Sequence, residues 1–173
     1  MNPQLALIFA RRSVRQYVPG KDVPEPIVRD LLQAAMAAPS ACGKDPWHFV
    51  VIRDRAVLAR LAAGLPNGTM LAQAAVGLVV CGDLQKAHGN LESYLLQDCS
   101  AAIENLLLAA AALGLGACWL GVHPREDRLA HVRVTLALPA HVIPVAAIAL
   151  GWPAEQPPPR TRFSEAAVHR EKW

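Results

Sequence analysis

Residues 90–122, NLESYLLQDCSAAIENLLLAAAALGLGACWLGV, decide the fold of this chain. Asn90 opens a long, mostly apolar helix, and Gly114 ends it, because glycine readily adopts the left-handed conformation that follows a helix C-terminus. At about 1.5 Å per residue, this helix is on the order of 35 Å long, enough to cross an ordinary domain. The apolar run Ala117 to Val122 then predicts a buried strand. We therefore expect the helix to be the spine of the core or of a dimer interface.

Strands and helices alternate around this spine at irregular lengths, and the chain lacks the glycine fingerprint of a dinucleotide-binding fold. These features favour an α+β fold, with a mixed sheet covered by helices, over a doubly wound parallel sheet. Short valine-rich runs predict the strands, and helical spacing of apolar residues predicts the helices. The further strands are His48 to Ile52, Gly77 to Cys81 and Pro144 to Leu150. The further helices run from Pro3 to Ala10, from Pro24 or Pro26 to a point before Pro39, and from Arg55 to Ala63, and a short helix begins at Pro124.

Length and composition indicate one domain that associates with a second copy of itself. The 173 residues are enough to bury a core without disulfides or metals. Only 18% of them are charged and 53% are hydrophobic, against a typical charged fraction of about 25%. Residues 157–173 begin with three prolines, which make a stiff extended connector, and are too polar to fold alone. We expect residues 1–173 to form a single domain, with 157–173 packing on the partner subunit.

Several classes of protein are disfavoured. The formal net charge of +3 is too small to indicate a nucleic-acid partner. The apolar run Leu5 to Ala10 precedes two arginines, the reverse of the order in a secretory signal, so we expect a cytoplasmic protein. The uncharged stretch Leu106 to Val122 is shorter than the roughly 20 residues of a membrane span and is broken by glycines. The chain has four widely spaced cysteines, Cys42, Cys81, Cys99 and Cys118. This spacing predicts reduced thiols and no metal site.

Two arginine clusters lie near the ends of the chain, Arg11, Arg12, Ser13 and Arg15 in one and Arg160 and Arg162 in the other. Residues two apart in an extended segment point the same way, so Arg160 and Arg162 can face one ligand. Guanidinium groups match phosphate oxygens, and a phosphomonoester can accept hydrogen bonds from several of them. The alternative is a pair of solvated basic patches.

Motifs in order along nearly the whole chain resemble the nitroreductase family of FMN enzymes. The opening motif is Arg11 to Arg15 followed by Tyr17, and the terminal one is Pro159 to Phe163 with Trp173. Between them lie Ala38 to Ala41 with Pro46 and Trp47, Gln97 to Ala102 with Glu104 and Asn105, Gly114 to Val122, and Ala149 to Trp152.

The resemblance implies a mainly antiparallel sheet and a homodimer with FMN sites at the subunit interface, each built by both chains. NADH or NADPH reduces the flavin, and a nitroaromatic, a quinone or a similar small molecule accepts the hydride. FMN carries the chemistry, so no side chain is assigned as catalytic, and the Leu120 and Gly121 backbone faces flavin N5. The matching positions are Arg11, Arg12, Ser13, Arg15, Arg160 and Arg162 for the phosphate and ribityl chain, and Pro39, Ser40, Ala41, Gly43, Trp119, Leu120 and Gly121 around the ring.

Three positions depart from the family pattern and bear on the acceptor. Gly43 stands where many relatives have asparagine, Asp45 where they have glutamine, and Thr69 where they have lysine. Alternative functions on the same scaffold are therefore a dehalogenase, flavin-destructase or dehydrogenase, or a flavin-binding regulatory module with little turnover. Glu104 and Asn105, polar residues on the apolar helix, are predicted to make contacts across the dimer interface.

Overall fold

A computed structural model describes residues 2–173 and has an α+β architecture. The strands are β1 (Trp47–Ile52), β2 (Val76–Asp83), β3 (Gly116–Gly121) and β4 (Val142–Gly151). They form one sheet in the order β1-β2-β4-β3, and every neighbouring pair is antiparallel. The mainly antiparallel sheet inferred from the sequence is confirmed, and β3 lies at one edge of it.

Residues 2–173 form six α-helices: α1 (Ala6–Ala10), α2 (Glu25–Met36), α3 (Arg55–Ala63), α4 (Thr69–Gln73), α5 (Glu92–Ala112) and α6 (Glu126–Leu136). Asp54 fixes the start of α3, because its carboxylate accepts hydrogen bonds from the amides of Ala56 and Val57. Gly114 follows the end of α5 with a φ of +73°, as the sequence predicted. Helix α6 begins two residues after Pro124 rather than at it.

Both faces of the sheet are buried at β2, which explains why this strand reads as a continuous apolar run. Successive side chains of a strand point to opposite faces. Leu78 and Val80 therefore pack with α2 and α5 on one face, while Val79 and Cys81 pack with α3, α4 and α6 on the other. The sheet is the middle layer of three.

Helix α5 is the spine predicted from the sequence. Its buried side chains include Leu95, Ile103 and Leu106, which join the core between α2 and the sheet. Among the described residues, α5 alone is long and apolar enough to cross a membrane by length and composition. A buried core helix meets the same criterion.

The two ends of the chain meet at the edge of the sheet beside β3. Val14 donates a backbone hydrogen bond to the Ala117 oxygen at 3.0 Å, and the Tyr17 hydroxyl lies 3.0 Å from the Ala149 oxygen. The Arg160 amide donates to the Phe9 oxygen at 3.1 Å. These contacts place the two arginine clusters on the same side of the molecule.

Candidate functional site

The first cleft lies along the free edge of β3 and is called the edge cleft below. It has a volume of 460 Å³, within the range typical of small-molecule sites. Its lining includes two arginines and no acidic residue. The lining residues are Arg15, Leu65, Pro66, Asn67, Thr69, Met70, Cys118, Trp119, Leu120, Gly121 and Arg128.

Backbone groups of β3 face this cleft, because the amide and carbonyl groups of an antiparallel edge strand point alternately toward and away from the neighbouring strand. The Ala117 oxygen points away from β4, since it accepts the Val14 amide. The Val122 amide points toward β4, since it donates to the Val145 oxygen at 3.2 Å. The alternation therefore directs the amides of Trp119 and Gly121 to the free edge.

Gly121 has no neighbour on its side-chain side. A Cβ built at this residue meets nothing within 4 Å, and the φ of Gly121 is not positive. By contrast, a Cβ at Gly116 would lie 2.6 Å from the Cγ1 atom of Val14. Contacts within the described chain therefore require glycine at position 116 and do not require it at 121, a residue that lines the edge cleft.

A second cleft, called the arginine cleft below, adjoins the first across Trp119, which lines both. It has a volume of 350 Å³ and contains four arginines and one glutamate. The lining residues are Ile8, Arg11, Arg12, Ser13, Glu104, Leu107, Trp119, Arg160 and Arg162. Residues from both ends of the chain therefore meet in one cationic cleft.

The arginines of this cleft differ in their contacts with the chain. The Nε atom of Arg11 lies 3.1 Å from Oε1 of Glu104, and the Arg12 guanidinium donates to the Pro158 oxygen. Asn105, next to Glu104, donates from Nδ2 to the Ala34 oxygen at 3.1 Å. Both side chains therefore have partners within the chain, and their contact with a partner subunit stays a prediction.

The loop containing Pro39, Ser40, Ala41 and Gly43 lines neither cleft. Hydrogen bonds fix its conformation: the Ser40 hydroxyl donates to Oδ1 of Asp45 at 2.5 Å, and the Ala41 amide donates to Oδ1 of Asp98 at 2.8 Å. Asp98 is a buried residue of α5, so the loop is anchored to the core. The structure thus separates these four predicted residues from the other predicted site residues of the same chain.

Comparisons with known proteins place this arrangement in a family. The nitroreductase family model matches residues 8–65 and 62–152, which span both clefts except for the C-terminal arginines. The chain belongs to the nitroreductase family. Its membership accounts for the order of motifs found along the sequence.

Individual nitroreductase relatives match the chain along its whole length. A Methanothermobacter thermautotrophicus protein, provisionally named an NADH dehydrogenase/NAD(P)H nitroreductase, is 45% identical over 98% of this chain and 87% of its own. A crystal structure of a similarly named Parabacteroides distasonis protein is 39% identical, covers 100% of both chains and has a TM-score of 0.92. A provisionally named nitroreductase from Desulfovibrio desulfuricans, solved in complex with FMN, is 35% identical, with coverage of 100% and 99% and a TM-score of 0.85.

The thiol in the edge cleft of this nitroreductase is poorly suited to be a nucleophile. Burial raises the pKa of Cys118, and Arg15 and Ser13 oppose that shift only in part. Burial also raises the pKa of Cys81 and of Cys99 to about 12. These thiols are therefore protonated at neutral pH, and thiolate is the reactive form. Reduced, mostly buried cysteines were predicted from the sequence, and all four are free.

Sequence reasoning missed two parts of the edge cleft. Helix α4, which begins at Thr69 and contributes Met70 to the lining, has only five residues and is too short to show helical periodicity. Arg128 lies on α6, with Arg125 directly before the helix and Arg133 within it, and nothing in the sequence distinguishes Arg128 from these two residues.

Proposed function

We propose that this nitroreductase-family chain is an FMN-dependent oxidoreductase that transfers hydride equivalents from NADH or NADPH to a small electron-poor acceptor, such as a nitroaromatic or a quinone. The observation that carries the proposal is the pair of adjoining clefts, one with mixed apolar and polar walls and backbone donors at its edge, the other rich in arginine. An aromatic ring joined to a phosphate fits this combination. The relative solved with FMN and the NAD(P)H in the relatives' names support the same assignment.

The edge cleft fits the flavin ring. The amides of Trp119 and Gly121 are directed toward its free edge, and the open space at Gly121 permits close approach of a flat ring. Leu120 and Met70 supply apolar contacts. FMN, when bound, supplies the hydride chemistry, and the chain supplies position and fixed positive charge. We assign Arg15, Trp119, Leu120 and Gly121 to this part of the site.

The arginine cleft fits the phosphate. Arg160 and Arg162 are exposed residues that reach the cleft from the C-terminal segment, and they face Arg12 and Ser13 from the N-terminal arm. Charge-assisted hydrogen bonds to phosphate contribute about 1.5 to 3 kcal/mol each. Arg11 contributes chiefly by neutralising Glu104, which would otherwise repel the phosphate.

A second copy of the chain completes each site in this proposal. Pro39, Ser40, Ala41 and Gly43 match the family's ring-side residues yet line neither cleft of their own chain, so we assign them to the site of the partner subunit. Exposed apolar side chains at both ends of the chain and at the end of α5 supply surface for the homodimer. They include Leu7, Ile8, Leu113, Phe163 and Trp173.

A cytoplasmic location is consistent with this function. All four cysteines are free, and free thiols persist in reducing compartments. NADH and NADPH are the proposed electron donors. We therefore keep the cytoplasm as the proposed site of action.

Anaerobic stopped-flow absorbance tests the proposed function. We expect the FMN-loaded protein to be bleached by NADH or NADPH and reoxidised by p-benzoquinone or nitrofurazone over repeated cycles. Bleaching without reoxidation by either acceptor would favour a specialised flavoenzyme or a regulatory module. A protein that binds FMN but is reduced by neither nicotinamide would contradict the proposal.

A further inference from the structure

Arg128 makes one defined contact at the end of β3. It is the third residue of α6, and its side chain reaches back to the strand, where one terminal guanidinium nitrogen donates to the Gly121 oxygen at 2.7 Å. Because Gly121 lies at the free edge, this bond covers the outward-facing carbonyl. The Gly121 amide, on the same side of the strand, remains directed to the cleft.

The remaining guanidinium donors of Arg128 are the informative feature. A guanidinium has five N–H donors, and the Nε atom of Arg128 is buried without a hydrogen-bond partner among residues 2–173. No carboxylate of the described chain lies within 4.0 Å of this guanidinium. A buried cationic donor without an acceptor is costly, so this Nε atom needs an acceptor from outside the chain, either a water molecule or a ligand that enters the adjoining cleft.

The edge cleft supplies the place for that acceptor. Arg128 lines it together with Arg15, and the lining contains no acidic residue that would neutralise either charge. A ligand with electron-rich oxygen or nitrogen atoms is therefore favoured over a neutral hydrocarbon. A ligand that gains negative charge in the cleft is favoured further, because the Arg128 guanidinium is already held by the Gly121 oxygen before the charge develops.

We infer that Arg128 is a cofactor-binding residue that holds the Gly121 peptide in place and stabilises FMN more strongly in its reduced, more negative form than in its oxidised form. The inference rests on the proposed function, since it requires FMN in the edge cleft. It adds to that function a residue whose positive charge raises the reduction potential of bound FMN and so favours the acceptance of hydride. A purely structural role, in which Arg128 only anchors α6 to β3, predicts no effect on the reduction potential.

The test compares Arg128→Met, Arg128→Lys and the control Arg125→Met. Arg125 lies three residues earlier, is exposed, and its side chain pairs only with Asp127. Fluorescence titration gives the Kd for FMN, spectroelectrochemistry gives the midpoint potential, and thermal unfolding of the apoprotein reports the fold. We expect Arg128→Met to weaken reduced FMN tenfold more than oxidised FMN, which lowers the two-electron midpoint by about 30 mV. Arg128→Lys, which keeps the charge, recovers most of the potential.

The outcomes separate the inference from the proposed function. If the parent binds FMN and Arg128→Met keeps the parent midpoint, the inference is overturned while the proposed function stands. A midpoint lowered equally in Arg128→Lys and Arg128→Met would also overturn it, because charge would not be the cause. If Arg128→Met fails to fold, Arg128→Gln decides, because it keeps a donor for the Gly121 oxygen and removes the charge: a midpoint lowered by about 30 mV supports the inference, and the parent midpoint rejects it. If the parent protein binds no FMN, both the inference and the proposed function are rejected.

Discussion

Arg11 and Glu104 form an ion pair inside the arginine cleft, with Nε and Oε1 3.1 Å apart. The pair joins the N-terminal arm to the long helix α5, and both side chains are partly exposed, 29% for Arg11 and 47% for Glu104. Because such pairs contribute little to stability, its main consequence is electrostatic. The pair neutralises the Glu104 carboxylate in a cleft that we assign to a phosphate.

The first prediction concerns this pair. Arg11→Ala leaves Glu104 uncompensated beside the phosphate, so we expect FMN affinity to fall at least tenfold, consistent with about 1.5 to 3 kcal/mol for a charged contact. Glu104→Gln tightens FMN, and the double variant binds more tightly than Arg11→Ala alone. Isothermal titration with FMN measures all three, with Arg29→Ala, outside both clefts, as the control. A double variant no better than Arg11→Ala would show that Glu104 is not the cause.

The second prediction concerns Gly121. Gly121→Ala places a methyl group where the chain has no neighbour, so thermal stability of the apoprotein stays near that of the parent. The same methyl group occupies space that we assign to the flavin ring, so FMN affinity falls. Gly116→Ala is the matched control, because it clashes with Val14 and lowers the stability itself. Full FMN affinity in Gly121→Ala would place the ring elsewhere.

The third prediction concerns Asp45, whose carboxylate accepts the Ser40 hydroxyl. Asn keeps an acceptor oxygen and tolerates the positive φ of 47°, so Asp45→Asn preserves the loop. If the loop faces the partner subunit's flavin, losing the charge raises the midpoint potential. A unit charge at roughly 7 Å, with an effective dielectric near 20, contributes about 2 kcal/mol before solvent screening. Spectroelectrochemistry measures the shift; an unchanged or lower midpoint would exclude Asp45 from tuning the flavin.

Local patterns in the sequence were sufficient for most elements of this fold. The helix predicted from Arg55 to Ala63 was observed with those bounds, and Gly114 followed the end of α5 as predicted. Strand order was not predictable in the same way, since β2 pairs with β4 across more than sixty intervening positions, from Val76 to Leu150. Sequence periodicity identifies a strand but does not identify its neighbour.

The same distinction applies to the candidate site, where clusters along the sequence were predicted and contacts between elements were not. Arg12, Ser13, Arg160 and Arg162 stood out as short clusters, and the structure brings them into one cleft. Contacts between distant elements were missed, namely the pairing of Arg11 with Glu104 and the reach of Arg128 to Gly121. Each of these contacts depends on how two elements pack against each other. The spacing of residues within one element does not predict that packing.

The fourth prediction concerns the dimer. Removal of residues 157–173 takes away Arg160, Arg162 and the exposed Phe163 and Trp173. We expect the full chain to sediment as a dimer at micromolar concentration and the truncated chain to dissociate more readily and to lose FMN. The charge-only variant Arg160→Ala/Arg162→Ala is the control, since it should lose FMN and stay dimeric. A full-length chain that binds FMN as a stable monomer would contradict the shared site.

Anaerobic titration of the purified protein with NADH and NADPH, followed by absorbance, tests the proposed flavin chemistry most directly. We expect a yellow protein that holds FMN and polypeptide in equal molar amounts. One or both nicotinamides should bleach it, and a nitroaromatic or a quinone should restore its colour. A folded protein that takes up no FMN at micromolar concentration, or whose bound FMN neither nicotinamide reduces, would contradict the central claim.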